Sequence, residues 1–387
     1  MSYGDWDKVY ELWNAGEAAY GAGQHHAAAE LYRRATALAD ASDDVPNWYR
    51  GVMRRSFADE LTTLERLREA LAVLSEMPKT TEDGFRACCV YGSMTDQVEI
   101  AVRLPVGLSV IERACEQADA YFRAAGERDW QSRLLYYRAQ LLYERGLYAQ
   151  ALAVAQEGAA YATAGCPKLF PSTHQWGLFR IRLAQGEHAD AKRYKERWVE
   201  KYEREEKRSP VRRAYEYVML SRLARAEGDA SEAVERSRAG AQTLAGADWG
   251  EARFLLGCEQ VRAYLYAGQH ALAGGLLARL AHSRRSESGH RRYGFALLLG
   301  DYHLACARAA AGLPTLDDEF GTTGEPPCAR ASDNSLEFEV GRARRAYGAA
   351  LKVGAWIDER LECSVRTGEV KRRLARLSHV ARVAAAA

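Results

Sequence analysis

The sequence predicts an all-α protein built from antiparallel helical hairpins in a repeating array. Three observations carry that expectation. Ala, Leu, Arg and Glu, all good helix formers, dominate the chain. Runs that alternate Val, Ile or Thr with polar residues are missing, and so is an Asn-Gly hairpin turn. Glycines recur about every 41 residues, each behind a stretch with helical apolar spacing.

The turns come first, because they define the elements. Gly23, Gly146, Gly186, Gly228, Gly268 and Gly312 stand in similar settings. A tight turn between antiparallel helices needs a residue that accepts positive φ, which glycine does without a Cβ penalty. Five residues after each of the first five glycines comes an alanine: Ala28, Ala151, Ala191, Ala233 and Ala273. A small side chain there lets the two helices of a hairpin cross closely. Gly23 to Gly146 spans three further intervals, which places turns near residues 64 and 105. Pro105 and Gly107 break a helix at the second of these, and Thr62-Thr63 marks the first only weakly. One more interval past Gly312 lands on Gly354, so the pattern allows up to nine hairpins.

This pattern resembles the tetratricopeptide repeat (TPR) family. The segment ELWNAGEAAYGAGQHHAAAELYRRATALAD carries Gly16, Tyr20, Gly23, Ala28, Tyr32 and Ala35 at the family's consensus positions. LLYYRAQLLYERGLYAQALAVAQEGAAYA matches next best. The resemblance spans about residues 5–312, with a period near 41 where the family has about 34. It implies a right-handed α-solenoid whose first helices line a concave groove that commonly holds peptides or partner proteins. Residues 1–312 are read as the repeats, 313–337 as an irregular insertion, 338–380 as a closing helical hairpin, and 381–387 as a frayed tail. Residues 199–213 form a charge-rich extension ending at Ser209-Pro210.

Composition narrows the function. The chain has 387 residues, 48% hydrophobic and 27% charged, which suits a globular protein of two or three domains. Lacking a long apolar run and an N-terminal basic-apolar leader, it is read as cytoplasmic and without a membrane partner. Eight cysteines at positions 88, 89, 115, 166, 258, 306, 328 and 363 form no CxxC, so they are read as reduced thiols. A net charge of +2 gives no global attraction to nucleic acid. The charge is nevertheless uneven. Residues 1–150 carry 17 basic and 23 acidic groups, a balance of −6, and the remainder carries 37 and 29, or +8. A head-to-tail self-association could use that asymmetry. Arginines outnumber lysines 45 to 9, so a single arginine carries little information.

Candidate site residues follow from offsets to the turns. Six residues before successive glycines stand Gln140, Arg180, Arg222 and Arg262, and Arg225 lies three before Gly228. Ten before their turns stand Tyr136, Trp176 and Tyr302. Stacked repeats would align the arginines as a row of forked donors flanked by aromatic rings. Such a row suits an acidic peptide, a terminal carboxylate or a phosphorylated ligand. Glu227 and Glu259 are the acidic neighbours available to pair with it. His303 and Cys306 share a helix face, but two ligands do not make a metal site. No HExxH, Walker A, GxSxG or GxGxxG motif is present, and no cofactor is expected. The expected function is a non-catalytic scaffold that binds protein or peptide in an arginine-lined groove. The alternatives are a ligand- or peptide-sensing regulatory module with a separate output partner, and an enzyme with a site inside the superhelix.

Overall fold

The computed structural model describes residues 4–77, 87–104, 106–163, 171–204, 210–244, 250–281, 288–311, 313 and 336–386. They form seventeen helices and, among the described residues, no strand. Eight hairpins account for sixteen of the helices. They are α1 (Asp5–Gly21) with α2 (His25–Ala41), α3 (Asn47–Thr63) with α4 (Leu67–Ser75), α5 (Ala87–Arg103) with α6 (Leu108–Ala125), and α7 (Arg128–Glu144) with α8 (Tyr148–Thr163). The next are α9 (Pro171–Ala184) with α10 (His188–Arg204), α11 (Pro210–Ala226) with α12 (Ala230–Thr243), α13 (Gly250–Tyr266) with α14 (His270–Leu280), and α15 (Gly289–Ala310) with α16 (Leu336–Arg360). A single helix, α17 (Val365–Ala386), follows. Most of the 313–337 segment, residues 314–335, lies outside the described residues, as do 205–209 of the charged extension.

The turns behave as the sequence requires. Gly23, Gly146, Gly186, Gly228 and Gly268 all have φ between 68° and 87°. Around Gly23 the amide of Gly23 donates to Tyr20 O and that of Gln24 to Ala19 O, a Schellman closure. The same pair of bonds recurs at Gly186, Gly228 and Gly268. Each alanine five residues further on is fully buried. The weak break at Thr62-Thr63 resolves into a turn at Glu65, which takes the glycine's place at φ 63°. Ala70, five residues later, is buried like the others.

Gly354 departs from the expected pattern. It makes no turn but lies inside α16. A Cβ there would sit 3.1 Å from both the Tyr293 ring and the Arg366 Cβ, so this glycine serves a close helix approach. The turn falls instead at Glu362, with φ 50°.

The described residues divide into two units. The first comprises residues 1–142, 149–177 and 245–251, and the second comprises 143–148, 178–244 and 252–387. In the first, Val9, Ala35, Ala39, Tyr49 and Met53 form one core with Trp6, Trp13 and Trp48 packed against it. A second core joins Ala28, Tyr32, Leu61, Leu67, Leu74 and Ile100. In the second unit, Phe254, Val261, Leu265, Leu277, Phe295 and Leu298 share one core.

One packing device appears in both. A Cβ on Gly16 would lie 2.6 Å from the ring of buried Tyr32, whose hydroxyl donates to Glu17 at 2.6 Å. A Cβ on Gly300 would lie 2.3 Å from the ring of Tyr347, whose hydroxyl donates to Asp301 at 2.8 Å. The glycine admits the ring, and the acidic residue beside it satisfies the phenol. Among the described residues, no helix is long and apolar enough to cross a membrane.

Candidate functional site

The second unit gathers three of the sequence-derived arginines around one carboxylate. Arg222 and Arg225 project from α11, and Glu259 and Arg262 from α13. Arg222 Nε donates to Glu259 Oε2 at 2.9 Å. Arg225 donates to Oε1 from Nε at 2.9 Å and from Nη2 at 2.6 Å. Arg262 Nη1 lies 3.8 Å from Oε2, one helical turn from Glu259. Glu259 is wholly buried, and burial by itself would raise its pKa. Arg225, Arg222 and Arg262 outweigh that effect and hold it at about 2. Arg225 is buried as well, whereas Arg222 and Arg262 keep 20% and 29% of their side chains exposed. Two guanidiniums therefore stand at the surface on a buried anionic anchor.

Arg180 belongs to a different cluster of the same unit. Its guanidinium stacks 4.5 Å over the Tyr143 ring and lies 3.5 Å from Glu144. Glu144, at the end of α7, also meets Arg366 of α17 and lies 3.4 Å from His290 Nδ1. Arg366 Nη1 further reaches Glu144 O at 3.1 Å and Asp358 Oδ1 at 3.3 Å. Burial opposes ionisation of Glu144, but His290, Arg366 and Arg180 hold its carboxyl well below the usual carboxylate range. The turn at residues 143–148 and the start of α17 are thereby clasped together. The side chain of Val365 would lie 2.7 Å from a Cβ on Gly146, so the two backbones meet closely as well.

Tyr136, Gln140 and Trp176 lie in the first unit. Gln140 Nε2 donates to Tyr136 Oη at 2.7 Å, and Tyr136 meets the His174 ring edge-on at 5.9 Å. Trp176 is half-buried. Ser132 Oγ lies 2.8 Å from His174 Nε2, a spacing a nucleophile and base would have. The hydroxyl also donates to Gly158 O, however, and both side chains are buried, so the pair is a core hydrogen bond. Tyr302, on α15 in the second unit, packs against Gly274 of α14.

Sequence reasoning missed a polar cluster in the first unit. Asp96 of α5 accepts from Arg55 Nε of α3 at 2.9 Å and from Arg133 Nη2 of α7 at 2.6 Å. Tyr137 donates to Glu99 at 2.5 Å. Both arginines approach the Trp130 ring, at 5.7 and 5.8 Å. Asp59 stands among these groups and makes no ion pair with any described residue. Asp59 is exposed, with neighbouring side chains crowding its carboxylate. Asp96 adds like charge, and together these push its pKa up to about 7. Asp59 lies six residues before Glu65, the offset Arg222 has from Gly228. That signal was hidden because the second turn lacks its glycine.

The Asp59 shift has a testable sign. Its unfolded value is near 3.9, so between about pH 4 and 7 the folded state holds more protons than the unfolded one. The contribution of Asp59 to stability should therefore decline across that window as pH rises. Urea denaturation at about pH 5 and pH 7.5 should show Asp59→Asn gaining stability relative to wild type as pH rises. A constant difference between the two proteins at both pH values would show that Asp59 ionises normally.

His303 Nδ1 is 2.7 Å from Glu339 Oε2, and Cys306 is buried beside them. Cys89, Cys115, Cys258 and Cys306 are buried free thiols. Among the described residues, no three metal-ligating side chains come together.

No protein-family model matches the chain, and no curated protein does. Among solved structures the chain is similar to a Rap protein complexed with competence and sporulation factor. The TM-score is 0.55 and the identity 13%, over 97% of this chain and 99% of that one. At that identity the likeness carries the fold, and with the helical hairpins described above it makes this chain an all-α protein of TPR-like helical repeats.

Proposed function

We propose that the protein is a non-catalytic peptide-binding module that takes anionic groups of its ligand on the Arg222–Arg262 face of the second unit. The observation that carries this reading is the convergence of three guanidiniums on one buried carboxylate, with Arg222 and Arg262 at the surface. Glu259 and buried Arg225 hold the outer two in place, so little ordering cost falls on binding. Arginine forks match carboxylates and phosphates in two-bond geometry. Arg180, on Glu144 and the Tyr143 ring, is a separate cationic group of that unit. A regulatory role through a separate output partner is the second reading. The solved Rap protein, held in complex with its factor, supports it.

The test uses a library of synthetic peptides carrying acidic side chains, phosphoserine or a free terminal carboxylate. Binding is read by fluorescence polarisation at low and physiological salt. Ligands should emerge from the acidic set and weaken as salt rises. The double variant Arg222→Ala/Arg262→Ala should lose about tenfold or more per arginine, at a charge-assisted bond of about 1.5–3 kcal/mol. The Arg225–Glu259 pair remains in that variant, so helical content should be unchanged. Equal binding by the double variant, or preference for basic peptides, would remove the face from the function.

A further inference from the structure

The second unit holds a cavity of about 690 Å³ between α14, α15 and α16. Its floor is α15, through Phe295, Ala296, Leu299 and Tyr302. One wall is α14, with Gly274, Leu277 and Ala278, continued by Ala281 just past its end, and the other is α16, with Ala346, Ala349 and Val353. The register of the helices follows from their contacts. Gly289 lies against Trp356 and Ile357, Gly300 against Tyr347, and His303 against Glu339, so α15 and α16 run antiparallel. Gly274 lies against Tyr302. The cavity is therefore a trough that follows α15 from Arg292 to His303, about 16 Å at the helical rise.

Its polar groups are confined to the two ends. Arg342 and Arg345 stand at the His303 end and Arg292 at the other. None of the three has a carboxylate within ion-pair distance among the described residues, although most arginines of the inner clusters do. Arg292 stacks 5.4 Å over the Trp356 ring, and its Nε is buried without a hydrogen-bond acceptor. No acidic residue lines the trough. An apolar slot of this volume with a few cationic groups at its ends is the form of a small-molecule site. Small side chains on both walls leave room for an unbranched chain. The paired guanidiniums at one end fit a planar carboxylate.

We propose that this trough binds an amphipathic monocarboxylate. The acyl chain lies along Leu277, Phe295 and Leu299, and the carboxylate is held by Arg342 and Arg345. The site is separate from the Arg222–Arg262 face and stands whether or not that face binds a peptide.

Isothermal titration calorimetry with sodium dodecanoate, below its micelle concentration, tests the proposal on the full chain. Dodecyltrimethylammonium, with the same chain and a cationic head, is the control. Dodecanoate should bind saturably at one site and the cationic amphiphile at least tenfold more weakly. Arg342→Gln/Arg345→Gln should weaken dodecanoate at least tenfold. Both arginines are exposed, so the variant should fold normally, which circular dichroism checks. Ala349→Phe, on an exposed position of the wall, should weaken binding by filling the trough. Arg222→Ala/Arg262→Ala should bind dodecanoate as wild type does, which separates this site from the peptide face. Failure of dodecanoate to bind, equal binding of the two amphiphiles, or full affinity in the double-glutamine variant would overturn the proposal. A change in oligomeric state with Ala349→Phe but no dodecanoate binding would also overturn it, by marking the trough as an interface between copies.

Discussion

Glu259→Gln is expected to destabilise the second unit by about 3–5 kcal/mol, because it leaves Arg225 buried with its principal anionic partner gone and Arg222 and Arg262 facing it. The amide keeps the shape of the side chain and one acceptor, so the loss reports charge rather than packing. The pH dependence gives a second readout. Glu259 has a folded pKa of about 2 against an unfolded value near 4.3. Its contribution is thus complete above the unfolded value and is lost as pH falls toward 2. Guanidinium denaturation of the wild type should show that acid loss, and the Gln variant should show a smaller one, Glu144 supplying the remainder. The variant has a further use. If the face binds anionic peptides, removing the internal carboxylate should tighten that binding even as the fold weakens. Stability and affinity moving in opposite directions would be hard to obtain from a purely structural cluster.

Arg366→Ala should be comparably costly, about 3–5 kcal/mol. The guanidinium serves three acceptors: the Glu144 carboxylate, the Glu144 carbonyl and Asp358. Truncation takes the shared guanidinium from two carboxylates, leaving Glu144 to Arg180 and His290 and Asp358 to the amides of residues 366 and 367. Arg366→Lys should recover only a small part of the loss, since one ammonium cannot reproduce the planar fork. A lysine variant with wild-type thermal stability would mean that the charge alone suffices and the fork geometry does not matter.

The hairpin array was legible because its constraints are local. A glycine with positive φ and a fully buried alanine five residues later recur in five hairpins, at Gly23, Gly146, Gly186, Gly228 and Gly268, for the same physical reasons. Legibility failed where another residue took on a local role. Glu65 and Glu362 adopt the left-handed conformation without being glycine, so the second and final turns carried no glycine signal. Gly354 misled for the opposite reason, being kept for the approach of Tyr293 and Arg366 rather than for a turn. The arginine row was visible as residue types at a fixed offset. Its real geometry, Arg222, Arg225 and Arg262 on Glu259 but Arg180 on Glu144, depends on which carboxylates lie across neighbouring helices. The Asp59–Asp96–Arg133 cluster was invisible for the same reason, as its members lie 37 or more residues apart in pairs such as Asp96 and Arg133. The trough depends on three helices at once, and no single-helix pattern records it.

The clasp between Glu144 and Arg366 joins residues 222 positions apart, whereas the most extensive helix packing among the described residues is between elements adjacent in sequence. Arrays with only nearest-neighbour contacts nucleate anywhere and come apart piecemeal. A contact of such long range cannot form until the intervening chain is largely in place, because closing so long a loop costs entropy that only the final geometry repays. It should therefore be late in folding and early in unfolding. Loss of the Arg366 fork would then speed unfolding far more than it slows refolding. The wild-type clasp acts as a kinetic latch, lengthening the lifetime of the folded second unit while leaving the order in which its hairpins assemble unchanged.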